Sequence, residues 1–278
     1  MDDGWVRERR IVPESAAPPA HSDVFEDLRA RRGFLADEAH HHADPIQAGR
    51  SAVAAGMILE AGPSGLELRI PGERPGRGIR GEIDTTLERR LESGHPLRRI
   101  ISGLPAESSG PIIDATAGLG GDTAIAAASS KRKVIACERN PVVAALLEDG
   151  RIRAVALGLE PADRIELHRG EAIGLLRPGG TPPSLVVLDP MFPPRRKASA
   201  LPPKPMQRLR SLLGEGKQDV FSEVEALLVA ADVAGASRIV LKRPPDAPAP
   251  ESPLGPPTFE ISTKLLRWSV WERRSPAV

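Results

Sequence analysis

From residue 111 onward, short apolar runs alternate with longer amphipathic stretches; before it the pattern is less regular. Pro111, Ile112, Ile113 and Asp114 read as a short buried strand ending in an acid, and 118–121 as a tight glycine loop. The Ala-rich stretch 122–130 predicts a helix with Asp122 near its N-terminus. A second strand spans 133–137, a second helix 141–157 with Pro141 in its first turn, and a third strand 165–168. The run 184–188 is apolar throughout, as a central strand buried on both faces should be. A long helix over 219–234, a fifth strand over 238–242 and a closing hairpin over 259–263 and 266–272 follow. This β-α-β-α order predicts an α/β fold built on a doubly wound, mostly parallel sheet.

Upstream, Val24, Leu28 and Leu35 lie at helical spacing among charges, so 23–38 reads as a helix. The stretch 51–70 reads as two short strands around a Gly-Pro-Ser-Gly turn. Residues 1–21 are polar and rich in Pro and Ala, a composition that reads as disordered. The expected organisation is therefore a disordered 1–21, an accessory region over 22–105 and the main α/β domain over 106–278.

Composition narrows the function classes. The formal net charge of the 278 residues is +1, so any nucleic-acid contact must come from local clusters of basic residues. The lone cysteine, Cys137, excludes a disulfide framework or a Cys-rich zinc module and fits a reducing compartment. No apolar run approaches the length of a membrane span, and the N-terminus lacks a secretory h-region, which points to a cytoplasmic protein. His40, His41 and His42 are adjacent; neighbours in sequence do not converge on one ion, so a solvated loop is expected and no metal site.

Three motifs carry chemistry. In Asp114-Ala-Thr-Ala-Gly118-Leu-Gly120-Gly121-Asp122 a strand runs through a glycine loop into a helix, the place where nucleotide-like cofactors sit on parallel sheets. Thr123 stands where a dinucleotide fingerprint needs its third glycine, which disfavours a nicotinamide oxidoreductase. Acids before and after the loop disfavour a pyrophosphate and favour a ligand with a cationic amino group and a sulfonium. Glu138, ending the second strand, is placed to accept from ribose hydroxyls; Arg139 beside it either packs along an adenine or is solvated. The third motif, Asp189-Pro190-Met191-Phe192, follows the fourth strand. An exocyclic amine on a base is a poor nucleophile, because its lone pair is delocalised into the ring. The Asp189 carboxylate and the Pro190 carbonyl are candidate acceptors that orient such an amine, and Phe192 offers a face for stacking the base. The segment 193–210 holds Arg195, Arg196, Lys197, Lys204, Arg208 and Arg210 and no acid. Its first half reads as a loop suited to phosphates, and Lys242 and Arg243 are placed to help hold RNA.

Four stretches, 114–120, Glu138-Arg-Asn-Pro-Val-Val-Ala-Ala-Leu-Leu147, Leu188-Asp-Pro-Met-Phe-Pro193 and Lys242-Arg-Pro244, together resemble the ribosomal small-subunit methyltransferase J (RsmJ) family. The resemblance covers about 111–246, with looser landmarks at 30–33, 66–69 and 264–268. It implies a class I S-adenosylmethionine-dependent methyltransferase fold with a seven-stranded sheet. It also implies methyl transfer to the N2 amine of a guanine in 16S rRNA, with the small ribosomal subunit as partner. Cofactor contacts then carry over to Gly121, Asp122, Glu138, Arg139, Gly170, Glu171 and Asp189. The chain departs from the family pattern at Gly121, where an Arg is usual, and at Gly170-Glu171, where serines are usual. An adenine or cytosine amine in RNA or DNA fits the same motif chemistry. A non-catalytic RNA-binding or ribosome-assembly protein is the alternative of another class.

Overall fold

The computed structural model describes residues 45–89, 94–192, 204–214, 220–248, 250, 252 and 254–273. The helix expected over 23–38, the histidines 40–42 and the basic residues 195–197 lie outside them.

The accessory elements are helix α1 (Pro45–Ala54), strands β1 (Ile58–Gly62) and β2 (Gly65–Arg69), and short helices α2 (Ile83–Glu88) and α3 (Pro96–Ser102). The main sheet begins with β3 (Ile112–Asp114), α4 (Gly121–Ser129), β4 (Val134–Glu138), α5 (Pro141–Ala156) and β5 (Ile165–Arg169). It continues with β6 (Leu185–Leu188), α6 (Lys204–Leu213), α7 (Val220–Val233), β7 (Arg238–Arg243), β8 (Phe259–Ser262) and β9 (Arg267–Glu272).

The seven strands run in the order β5-β4-β3-β6-β7-β9-β8. Pairings from β5 through β7 are parallel, and β9 is antiparallel to both β7 and β8. This is the class I methyltransferase arrangement. The strand order reverses between β3 and β6, and the carboxyl ends of those strands open a crevice there. Side chains alternate between two cores. Val187, Val240 and Val270 pack with Ile83, Leu97, Ile100 and Trp268 on one face. Val186, Leu188, Ile239 and Leu241 pack with Leu227, Leu228 and Trp271 on the other. Burial on both faces explains why β6 and β7 lack a polar alternation.

The region 51–70 corrects the sequence reading in part. The β1–β2 hairpin forms, but residues 51–54 finish α1 instead of starting a strand. Residues 45–105 share one compact unit with the sheet domain. Arg153 of α5 pairs with Asp84 at 2.7 Å, pairs with Asp149, and donates to the Gly81 carbonyl at 2.8 Å. Burial alone would raise the Asp84 pKa; the Arg153 guanidinium outweighs it and holds the carboxyl below its usual range. Asp149 also accepts from the Leu66 amide at 3.0 Å. Gly81 lies so close to α5 that a Cβ there would sit 2.1 Å from the Leu146 carbonyl oxygen.

Candidate active site

A cavity of about 700 Å³ opens at the carboxyl edge of the sheet. The loop after β3 forms its first wall. The Ala115 amide donates to Val187 O and the Ala117 amide to Cys137 O, both at 2.9 Å, so the loop is tied to the strands on either side. Gly118, at φ 54°, has no atom closer than 3.9 Å to where a Cβ would stand, and it faces the opening. Gly120, at φ 92°, points the other way: a Cβ would meet Leu147 at 2.6 Å and Ile83 at 2.7 Å. One glycine leaves room for a ligand, and the other lets two helices close on the loop.

Glu138 ends β4 at the next wall. Its carboxylate accepts from the Gly118 amide at 3.1 Å and the Asn140 amide at 2.7 Å. Burial pushes its pKa up against those donors. Asn140 caps α5 by accepting from the Val142 and Val143 amides, with Pro141 following it. Arg139 reaches Glu171 at 3.3 Å and Glu223 of α7 at 3.1 Å, and joins three elements around the mouth. Gly170 donates to the Glu138 carbonyl at 3.1 Å with φ 130°.

The floor is an ionic chain. Lys242 of β7 donates to Asp189 at 2.5 Å and to Asp122 at 2.6 Å, and its ammonium stands 4.9 Å from the centre of the Trp268 ring. Burial opposes the charge of Lys242, but the two carboxylates outweigh it and push its pKa up. Asp189 lies deep in the cleft yet open to it. Burial raises its pKa, Lys242 pulls it back, and Asp122 raises it further; the net direction is upward. The Asp189 amide donates to Thr116 Oγ1 at 2.7 Å, which fixes the backbone of the motif. Behind the floor Asp114 is buried, accepting from Thr123 Oγ1 at 2.6 Å. Burial first and Asp122 second raise its pKa to about 7.

Phe192 lines the cavity at 8 % exposure, edge-on to Phe221. The Pro190 carbonyl already accepts from the Phe192 amide at 2.9 Å; its second lone pair is left for a ligand. Met206 and Leu209 of α6 complete an apolar wall.

The profile of the family described as "Putative SAM-dependent methyltransferase" matches residues 55–273. The ribosomal RNA small subunit methyltransferase J of Magnetococcus marinus is 35 % identical over 255 residues, covering 89 % of this chain and 97 % of the relative. That of Dechloromonas aromatica is 37 % identical, covering 80 % and 89 %. This chain belongs to the methyltransferase J family. A crystal structure of a SAM-dependent methyltransferase from Neisseria gonorrhoeae superposes with a TM-score of 0.56 at 26 % identity, covering 85 % of this chain and 93 % of that one. The protein is a SAM-dependent methyltransferase, and its cofactor is S-adenosylmethionine. The donor set fits that group: the carboxylates of Asp122, Glu138 and Asp189 line the cavity, and Gly118 leaves space beside them.

Within this methyltransferase J framework, Gly118, Gly121, Asp122, Glu138, Arg139, Gly170, Glu171, Asp189, Pro190 and Phe192 all converge on one cavity. Asp114 and Gly120 stand behind its wall and act on it through Thr123 and the helices. Lys242 and Arg243 correct the RNA-contact expectation. Lys242 is consumed by the two aspartates, and Arg243 is buried against Ser269, Glu260 and the Ala247 carbonyl. β7 pairs with β9 out to Arg243, beyond the end of its pairing with β6 at Leu241, and both side chains are buried, at 8 % and 4 % exposure. In the basic segment, Lys204 is exposed, Arg208 pairs with Glu73 at 2.9 Å, and Arg210 donates to the Phe192 carbonyl at 3.1 Å. Sequence reasoning missed Thr116, although it lies inside the first motif. It also missed Glu82, which borders the cavity from the accessory region and whose pKa burial raises. No local pattern marks Glu82; its amide bond to the Leu119 carbonyl at 2.7 Å is a long-range contact.

Proposed function

We propose that this chain methylates the exocyclic N2 amine of a guanine in 16S ribosomal RNA, on the small subunit, in the cytoplasm. Supporting the substrate class, the relatives are named ribosomal RNA small subunit methyltransferases. The observation that carries the chemistry is the doubly held Asp189, pinned by Lys242 through its side chain and by Thr116 through its amide. In this reading residues 106–278 form the catalytic domain and 22–105 is accessory to it.

When bound, S-adenosylmethionine supplies an electrophilic methyl group on a sulfonium sulfur. Glu138 holds the ribose, and Gly118, Gly121 and Asp122 bound the methionine side, with Arg139, Gly170 and Glu171 at the adenine side. Phe192, Met206 and Leu209 give the base an apolar wall. The Asp189 carboxylate and the free lone pair of the Pro190 carbonyl accept from the amine hydrogens and aim its lone pair. Methylation leaves the nitrogen one proton in excess; Asp189, with its pKa raised, takes it and passes it to water in the cleft. Lys242 keeps the carboxylate oriented throughout. Catalysis here is positioning and electrostatics. Lys204, with Arg195, Arg196 and Lys197, is assigned to phosphates.

The test is transfer of radiolabelled methyl to small subunits lacking the modification, followed by nucleoside analysis. Label in N2-methylguanosine is expected. Label in another nucleoside overturns the choice of base, and none on subunits or naked RNA overturns the substrate class.

A further inference from the structure

The loop 71–80, Pro-Gly-Glu-Arg-Pro-Gly-Arg-Gly-Ile-Arg, is built with unusual care for an exposed segment. It makes two successive Pro-Gly turns. The Glu73 amide donates to the Ile70 carbonyl at 3.1 Å with Gly72 at φ 83°, and the Arg77 amide to the Arg74 carbonyl at 3.2 Å with Gly76 at φ 82°. Proline at the second turn position and a positive-φ glycine at the third define type II turns. A fully buried carboxylate, Glu67, fastens the second turn from below. It accepts from the Gly76 amide at 2.8 Å and the Gly78 amide at 3.2 Å. Ile79 then bridges back to Leu68 through two hydrogen bonds of 2.9 and 3.0 Å.

The second turn carries Arg74 and Arg77 at its first and fourth positions, which a β-turn brings to within about 7 Å of each other at Cα. Both are exposed. The acids around them are engaged elsewhere: Glu67 with the loop amides and Arg69, Glu73 with Arg208, and Glu60 with Arg69. Among the described residues neither Arg74 nor Arg77 forms an ion pair. Two like charges thus share one hydrogen-bonded turn with no carboxylate of the described residues paired to them, an arrangement that an anion would stabilise.

We propose that Arg74 and Arg77 form a clamp for a backbone phosphate of the RNA whose base enters the cavity. The proposal rests on the RNA reading above. The loop's position selects this partner. Glu73 grips α6, which walls the cavity, and the loop runs directly into Glu82 on the cavity rim. Arg74 follows Glu73 directly, so an anion on this turn sits on the α6 side of the molecule, and a polynucleotide whose base enters the cavity past α6 carries its neighbouring phosphates along that side. Guanidinium forks match phosphate oxygens in pairs.

The experiment compares wild type with the R74Q/R77Q and R74K/R77K pairs. It measures binding to unmodified small subunits and to naked 16S rRNA across a salt series, with S-adenosylmethionine affinity measured on each protein. The Gln pair is expected to bind roughly tenfold more weakly and to lower the log–log salt slope by about 1.5, with wild-type cofactor affinity. The Lys pair should keep most of the slope. A Gln pair with wild-type affinity and slope overturns the clamp. Loss of cofactor affinity in the Gln pair assigns the arginines to the fold and overturns it equally. A wild-type protein that binds neither RNA nor subunits overturns the RNA reading, and the clamp with it.

Discussion

Lys242 is the residue on which the ionic floor of the cavity depends. It pairs with Asp122 and Asp189 at once, carboxylates that the proposed function places on the cofactor and target sides. Lys242→Met leaves two carboxylates in the cleft without a cation. Thermal or denaturant unfolding should show a loss of about 3 kcal/mol, and turnover should fall well beyond what that instability explains. Asp189→Ala should cut kcat at least about a hundredfold while S-adenosylmethionine still binds, as read by single-turnover assay and calorimetry. Asp114 predicts a pH effect. Its folded pKa, about 7, lies above the unfolded carboxylate value of 3.8, so the folded state holds a proton that the unfolded state releases. That contribution to stability is complete at low pH and declines as pH rises from about 4 to about 7. Denaturant titrations across that window should show the decline in wild type and a flatter profile in Asp114→Asn. Asp189, Glu138 and Phe192 were legible from the sequence because each sits in a local strand-to-loop pattern. The burial of Lys242 was not, since Lys-Arg-Pro at a strand end looks solvated until its long-range partners Asp122 and Asp189 are known.

At the scale of elements, the strand–glycine loop–helix unit from β3 to α4 was readable almost residue by residue, because its signal is contained within about a dozen positions. The start of the accessory region was not. The alanines of 51–55 favour a helix, but the run is too short to show a helical period by itself, and contact of α1 with α5 and β1 secures it. Gly120 has the most demanding position in the loop. Gly120→Ala places a Cβ against Leu147 and Ile83 at a backbone angle that L residues avoid. It should cost about 2 kcal/mol or more, measured by equilibrium unfolding, and weaken cofactor affinity.

For the whole molecule, the accessory elements and the sheet domain share one core: Ile83, Leu97 and Ile100 pack with Ile112, Val187 and Trp268. A chain starting at residue 106 should therefore lose cooperative unfolding and bind hydrophobic dye, whereas two independent modules would leave its melting curve intact. The alternation of β and α announced the sheet, but no pattern announced that Asp84 and Gly81 would be bound so closely to α5. The last strand adds an optical consequence. Trp268 of β9 is 2 % exposed, and its indole lies beneath the Lys242 ammonium. A fixed positive charge over an indole shifts the energies of its ground and excited states by different amounts. Every event that moves or neutralises that ammonium is thereby written into the protein's own emission spectrum, with no added dye.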